Sequence, residues 1–185
     1  MSAHVVIVNG LPGVGKTTQA QALATGLGWP LVTKDMFKES LFDSLGWSDR
    51  DWSRKLSKAS MDLLFVWLDR ELQAGRDCVI EANFEAERDT PRFVALASRY
   101  AVQWVQVLVV CDGDTLWQRH INRGNDGSRH PGHQEAAVAL ELRDRLLTGR
   151  VDPLLLEAPC IELDTTDLTK IDMVTVLQQV RSCWS

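Results

Sequence analysis

The chain has 185 residues, 45% of them hydrophobic and 24% charged, with a formal net charge of −5. That length can bury a substantial core in one domain, and the composition excludes a disordered or fibrous chain. The acidic balance excludes a molecule that attracts polyanions as a whole, so any nucleic-acid contact needs a local basic patch.

The N-terminus enters a strand almost at once, with no basic segment leading into a long apolar run. No signal peptide and no membrane span are expected, which points to the cytoplasm. His4 to Val8 is a β-branched run that reads as a buried strand, and Thr18 to Leu27 reads as a helix closed by Gly28. Between them, Gly10-Leu11-Pro12-Gly13-Val14-Gly15-Lys16-Thr17-Thr18 fits G-x-x-x-x-G-K-[ST]. Strand, glycine loop and helix form the setting this phosphate-binding loop requires. Its glycines let backbone N–H groups turn toward an anion, and the helix N-terminus adds partial positive charge. Gly10, Pro12, Gly13, Val14, Gly15 and Thr18 would cradle the nucleotide, Lys16 would reach the β- and γ-phosphates, and Thr17 would hold Mg²⁺. The plain alternative is a glycine-rich turn that binds nothing.

Residues 30–33 form a second strand-like run, and Asp35 follows at its carboxyl end, where ligands of open α/β sheets bind. A carboxylate there could accept the proton of an attacking hydroxyl. It would also suit a helix N-cap, and the two readings are compatible. Lys34 and Lys38 flank it as substrate contacts or as solvated charges. Next comes a helix of about 26 residues, with a capping-box-like start at Ser48 and Asp51 and a stop at Gly75. Met61, Leu64, Phe65, Leu68 and Leu72 share one face, which Arg50, Arg54 and Lys58 continue toward the N-terminal end. That basic stripe would meet an anionic group of an acceptor, or it is a solvated turn beyond the core.

The run at 77–82 ends in Glu81, a loose Walker B acid that could bind Mg²⁺ through water, with Asn83 placed to hydrogen-bond an acceptor. A strand-end ion pair is the alternative for Glu81. Another run covers 103–110, a helix starts near Asp114, and another helix covers about Gln134 to Thr148. Between these two helices, the polar stretch Arg123 to His133 reads as a functional loop. Arg119 would reach the nucleotide, and Arg123 and Arg129 would close over the phosphates as lid arginines, with surface charge as the competing account. The last run covers 159–163. Alternating strands and helices imply a parallel sheet covered on both faces. Cys78, Cys111, Cys160 and Cys183 form no CxxC pair, and the three beside apolar runs read as core residues in a reducing compartment. Seven tryptophans are many for this length; Trp67 reads as core, and packing is favoured over a pocket role for Trp29, Trp47, Trp52 and Trp117.

With the loop, Asp35, Glu81-Ala82-Asn83-Phe84 and Arg129-His130-Pro131-Gly132-His133 together, the chain resembles the small bacterial P-loop kinases, described as AAA-type ATP-binding proteins. That group is related to polynucleotide 5′-hydroxyl kinases, chloramphenicol phosphotransferase and zeta toxins. The resemblance spans Val5 to about Thr166. It implies a three-layer α/β P-loop NTPase fold, with a five-stranded parallel sheet of order 2-3-1-4-5 and helices on both faces. The whole of 1–185 is then one kinase domain with a lid at about 123–133. Mg-ATP as donor and a hydroxyl as acceptor follow from the same resemblance, which maps a general base onto Asp35. Lys38 stands where the polynucleotide kinases carry an arginine, which weakens the expectation of nucleotide-phosphate recognition. Leu163-Asp164-Thr165-Thr166 would pass near the adenine.

The expected activity is therefore transfer of the γ-phosphate to a small-molecule alcohol. Lys16, Asp35, Arg123 and Arg129 would be catalytic, and Lys38, Glu81, Asn83 and Arg54 would contact substrate. A polynucleotide 5′-hydroxyl kinase and a nucleotide-switched binding protein are the alternatives. Nothing in the pattern assigns an oligomeric state.

Overall fold

The computed structural model describes residues 2–126 and 129–184. Five strands form one all-parallel sheet: β1 (Ala3–Gly10), β2 (Leu31–Thr33), β3 (Cys78–Glu81), β4 (Val102–Val110) and β5 (Cys160–Asp164), in the order β2-β3-β1-β4-β5. This is the order implied by the family resemblance. Val6 of β1 stands between Val79 and Val105, and the neighbouring residues follow in register.

Alternation along the central strands builds two cores. Val5, Ile7, Cys78, Ile80 and Trp104 face one side and pack against α3 (Arg50–Gln73) and α4 (Ala86–Ala97). Val6, Val8, Val79, Val105 and Val107 face the other side. There they meet α1 (Lys16–Leu27), α5 (Gly113–Asp126), α6 (Glu135–Leu147) and α7 (Met173–Ser182). Burial on both faces is why these strands read as continuous apolar runs rather than as alternating ones. The last helix on the β2 side, α2 (Lys34–Leu45), begins directly at the end of β2. The fold is a P-loop NTPase-type α/β fold.

Several sequence expectations need correction. Helix α1 starts at Lys16, so the loop's lysine and threonines belong to its first turn. The long helix is capped by Asp49, whose carboxylate accepts from the Trp52 N–H at 2.8 Å, rather than by Ser48 with Asp51. The stretch from Arg123 is not all loop. Helix α5 continues to Asp126, and a 3₁₀ turn covers Pro131–His133. No apolar residue marks that last turn of α5, because an ion pair between Arg123 and Glu135 ties it to the next helix. Residues 127 and 128 of the expected lid lie outside the described residues. Cys160 is exposed, since β5 is an edge strand; Cys78 and Cys111 are buried. Among the described residues, no helix is long and apolar enough to cross a membrane.

Candidate active site

A cavity of about 870 Å³ opens at the carboxyl ends of β1, β2 and β3. Its floor is the loop after β1, contributed by Pro12, Gly13, Gly15, Lys16, Thr17 and Thr18. Gly10 has no room for a side chain, because a Cβ there would lie 2.5 Å from the Val109 carbonyl oxygen of β4. Gly15 adopts φ +92°, the left-handed conformation that glycine tolerates, and this turn points the α1 N-terminus into the cavity. Val14 is anchored in the core below, and Thr165, just past β5, donates to its carbonyl at 2.8 Å.

Lys16 is 7% exposed; its Nζ donates to the Leu11 carbonyl at 3.0 Å and lies 3.8 Å from Glu81 Oε1. Burial pulls this ammonium below its ordinary range, and the Glu81 charge opposes the shift. The Thr17 hydroxyl donates to Glu81 Oε2 at 2.9 Å. Burial pushes the Glu81 carboxyl up, against the charge of Lys16. A hydroxyl and a carboxylate held side by side at the loop form a hard-oxygen donor pair of the kind Mg²⁺ takes.

Asp35 lies on the first turn of α2 and lines the same cavity. Arg129, 94 residues later, donates to Asp35 Oδ2 at 2.6 Å and to Glu39 Oε1 at 3.2 Å. Burial, the largest single influence, would raise the Asp35 carboxyl, but the Arg129 guanidinium, His133 and Lys34 together hold the group well below the usual carboxylate range. Arg123 forms a fork with Glu135, at 2.7 Å for its Nε. A Cβ on Gly13 would lie 3.9 Å from Arg123 Nη2, so this guanidinium hangs over the phosphate loop. Both arginines are therefore at the cavity, held by carboxylates: Glu135 faces Arg129 Nε as well, at 3.4 Å.

The 3₁₀ turn docks on α2 and α3. Gly132 packs so close that a Cβ would meet the Phe42 ring at 2.8 Å. His130 stacks on that ring at 5.0 Å, and His133 stands edge-on to it and meets Glu39 at 2.8 Å. Ser53 donates to the Gly132 carbonyl at 3.1 Å and accepts from Lys38 Nζ at the same distance. Arg50 and Arg54 both reach Glu141 Oε1 of α6 at 3.0 Å. Asn83 and Lys34 complete this half of the lining. Arg119 stands apart from the cavity wall, donating to the Thr166 carbonyl at 3.0 Å and to Cys111 Sγ at 3.4 Å. Among the described residues, no tryptophan lines the cavity; Trp29, for example, packs with Trp184 at 5.1 Å.

Residues 5–146 match the model of AAA_33, an AAA domain. The chain belongs to this family. Among solved structures, this AAA domain is 41% identical to a candidate kinase from Chloroflexus aurantiacus, with TM-score 0.91 over 99% of both chains. Two more distant structures share the fold. A sugar kinase from Janibacter sp. HTCC2649 gives TM-score 0.57 at 19% identity, over 100% of this chain and 95% of that one. Kti12 of Chaetomium thermophilum, solved with ADP-AlF3, gives 0.66 at 17% identity, over 98% and 99%. No curated protein matches the sequence.

Three residues that hold this AAA domain's site together carry no motif. Asn9 is 2% exposed; its Oδ1 accepts from the Gly10 and Phe84 N–H groups, and its Nδ2 donates to the Phe84 carbonyl. It therefore staples the start of the phosphate loop to the segment after β3. Ser53 and Glu135 do the same for the docked turn. A polar residue closing an apolar strand, as Asn9 does, was the one available signal. The other two act through partners 79 and 12 residues away.

Proposed function

We propose that this AAA-domain protein is an ATP- and Mg²⁺-dependent phosphotransferase that moves the γ-phosphate to a hydroxyl of a small molecule, within one domain whose lid lies at about 123–133. The observation that carries the reading is a carboxylate, Asp35, in the same cavity as Lys16 and Thr17, whose hydroxyl in turn holds Glu81. A phosphate loop alone serves hydrolysis or switching equally well. An acid across from it, at the end of β2 two strands away, is what a hydroxyl acceptor needs. Membership of the AAA domain family and the relative described as a candidate kinase support the same reading.

In this reading the loop N–H groups of Gly13 to Thr18 and Lys16 bind the phosphates, with Lys16 leaving the Leu11 carbonyl to do so. Thr17 and, through water, Glu81 would hold Mg²⁺, which would supply neutralisation of the phosphate charge. Asp35 orients the acceptor hydroxyl and takes its proton. The acceptor oxygen forms a bond to the γ-phosphorus, the bond to the bridging oxygen breaks, and ADP leaves with that electron pair. Arg129 moves from Asp35 to the transferring group, where Arg123 already overhangs the loop, and the two stabilise its charge. Arg119, which donates to the Thr166 carbonyl, would contact the nucleotide on its adenine side.

Transfer of label from γ-labelled ATP with Mg²⁺ tests the reading, with Lys16→Ala as the control expected to abolish it. Absence of label from every acceptor, together with ATP-dependent association with a protein, would favour a nucleotide-switched binder. The second reading, a polynucleotide 5′-hydroxyl kinase, draws on Arg50, Arg54 and Lys58 at the cavity mouth. Glu141 pairs with two of those three cations and Asp51 lies 3.5 Å from Arg54, so little free positive charge is left for a polyanion, which favours the small acceptor.

A further inference from the structure

The cavity is positive although the chain is acidic, and its charges are of two kinds. Its outer arginines each face a carboxylate: Arg50 and Arg54 share Glu141, Arg92 has Asp62, and Arg88 has Asp89. The lysines differ. Among the described residues, Lys34, Lys38 and Lys58 line the cavity and form no ion pair within 4.0 Å. The acids beside them in sequence are already engaged: Asp35 by Arg129 at 2.6 Å, Glu39 by Arg129 at 3.2 Å and His133 at 2.8 Å, and Asp62 by Arg92 at 3.0 Å.

Lys38 is the most enclosed of the three, at 6% exposure. Its Nζ has one hydrogen bond, to Ser53, and lies 5.2 Å from the Phe42 ring centre. An ammonium carries three donors, and burying one without a counter-ion is costly. An anion in the cavity supplies what is missing. Burial, reinforced by the charge of Lys34, pulls Lys38 down to about 8, and a bound anion would reverse that shift.

We propose that the acceptor is itself an anionic alcohol, a small hydroxy acid or alcohol phosphate whose carboxylate or phosphate is held by Lys34 and Lys38 while its hydroxyl faces Asp35. The inference rests on the phosphotransferase reading and names its substrate class. Lys38 is four positions from Lys34 and three from Asp35 on one helix, so its side chain starts about 5–6 Å from each of theirs. The anionic group therefore sits within a few bonds of the reacting oxygen. A docked turn over α2 and a cavity of about 870 Å³, which must also take the nucleotide, fit a small molecule rather than a strand. The step is unchanged: oxygen bonds to the γ-phosphorus, ADP leaves with the bridging electron pair, and the proton goes to Asp35.

The test uses the full chain saturated with Mg²⁺ and AMP-PNP, so that the phosphate loop is filled. Inorganic phosphate and malonate are titrated while the melting temperature is followed. The wild type should show a saturable rise, weakened about tenfold or more in Lys38→Met and in Lys34→Met, the loss of one charge-assisted hydrogen bond. Lys170→Met, at an 81% exposed side chain, should behave as wild type. Equal rises in all variants, or none in the wild type, would overturn the anion site. So would salt-sensitive binding of a 5′-hydroxyl oligonucleotide without any response to phosphate or malonate. Labelled transfer to glycerate, glycerol 3-phosphate and glycerol then separates carboxylate from phosphate, with glycerol expected to be the poorest acceptor. Transfer to glycerol that is best of the three and unaffected by Lys38→Met would overturn the inference and leave the phosphotransferase standing. Anion binding lost in Lys38→Met with no transfer to any acceptor would count against the phosphotransferase and support the anion site.

Discussion

Asp35 is subject to two opposed influences, and which one dominates sets its chemistry. Burial raises its carboxyl, while Arg129 at 2.6 Å, together with His133 and Lys34, lowers it further than burial raises it. With Arg129 in place Asp35 is ionised but engaged, and the mechanism requires the arginine to leave. Replacing Asp35 with Asn should reduce turnover by about 10²–10⁴ while leaving ATP binding largely intact, measured by single-turnover transfer and by nucleotide titration. Near-normal transfer would remove Asp35 as the base. Replacing Arg129 with Met has a second signature. Burial of Asp35 is then opposed only by the remaining pull of His133 and Lys34, so the pH at which kcat/KM falls off on the acid side should move up by about one unit or more. A slower enzyme with an unmoved acid limb would mean that Arg129 does not control Asp35.

At the scale of elements, two contacts hold the site's halves. The Asn9 staple links β1 to the segment after β3 through two hydrogen bonds with Phe84 and accepts a third from Gly10. Asn9→Ala leaves buried N–H groups without an acceptor, which should cost about 2–4 kcal/mol in denaturant unfolding. A loss below about 0.5 kcal/mol would show that the segment finds other partners. The turn at Gly132 is the second contact. A methyl there meets the Phe42 ring at 2.8 Å, so Gly132→Ala must push the turn off α2. Acceptor KM should rise while ATP affinity holds, because the phosphate loop is untouched; a rise in both equally would mean the turn supports the whole cavity.

At the scale of the molecule, what could be read from sequence was what depends on neighbours in the chain. The phosphate loop, its flanking strand and helix, and the five apolar runs are local patterns, and all five runs became strands of one parallel sheet. The position of Asp35 was legible because it follows a strand directly. Its partner was not, since Arg129 is 94 residues away and meets it only after the docked turn folds over Phe42. The same distance effect hid the last turn of α5, where Arg123 and Glu135 make a helix out of residues that look like loop. Cys160 was misplaced for another reason: an apolar run does not reveal which strand lies at the sheet edge.

The account also predicts a global response to nucleotide. ATP with Mg²⁺ at about 100 times its dissociation constant should stabilise the fold by about 2.7 kcal/mol. For a chain of this size that raises the melting temperature by about 5–11 °C. Lys16→Ala should show little of this rise. The most direct test remains the transfer itself, with γ-labelled ATP and Mg²⁺ offered 5′-hydroxyl oligonucleotides in one reaction and a small-metabolite extract in another. The account predicts label in the metabolite fraction, on a product that is anionic before as well as after phosphorylation, and its disappearance in Asp35→Asn. Label confined to the oligonucleotides, or equal label with Asp35→Asn, would contradict it.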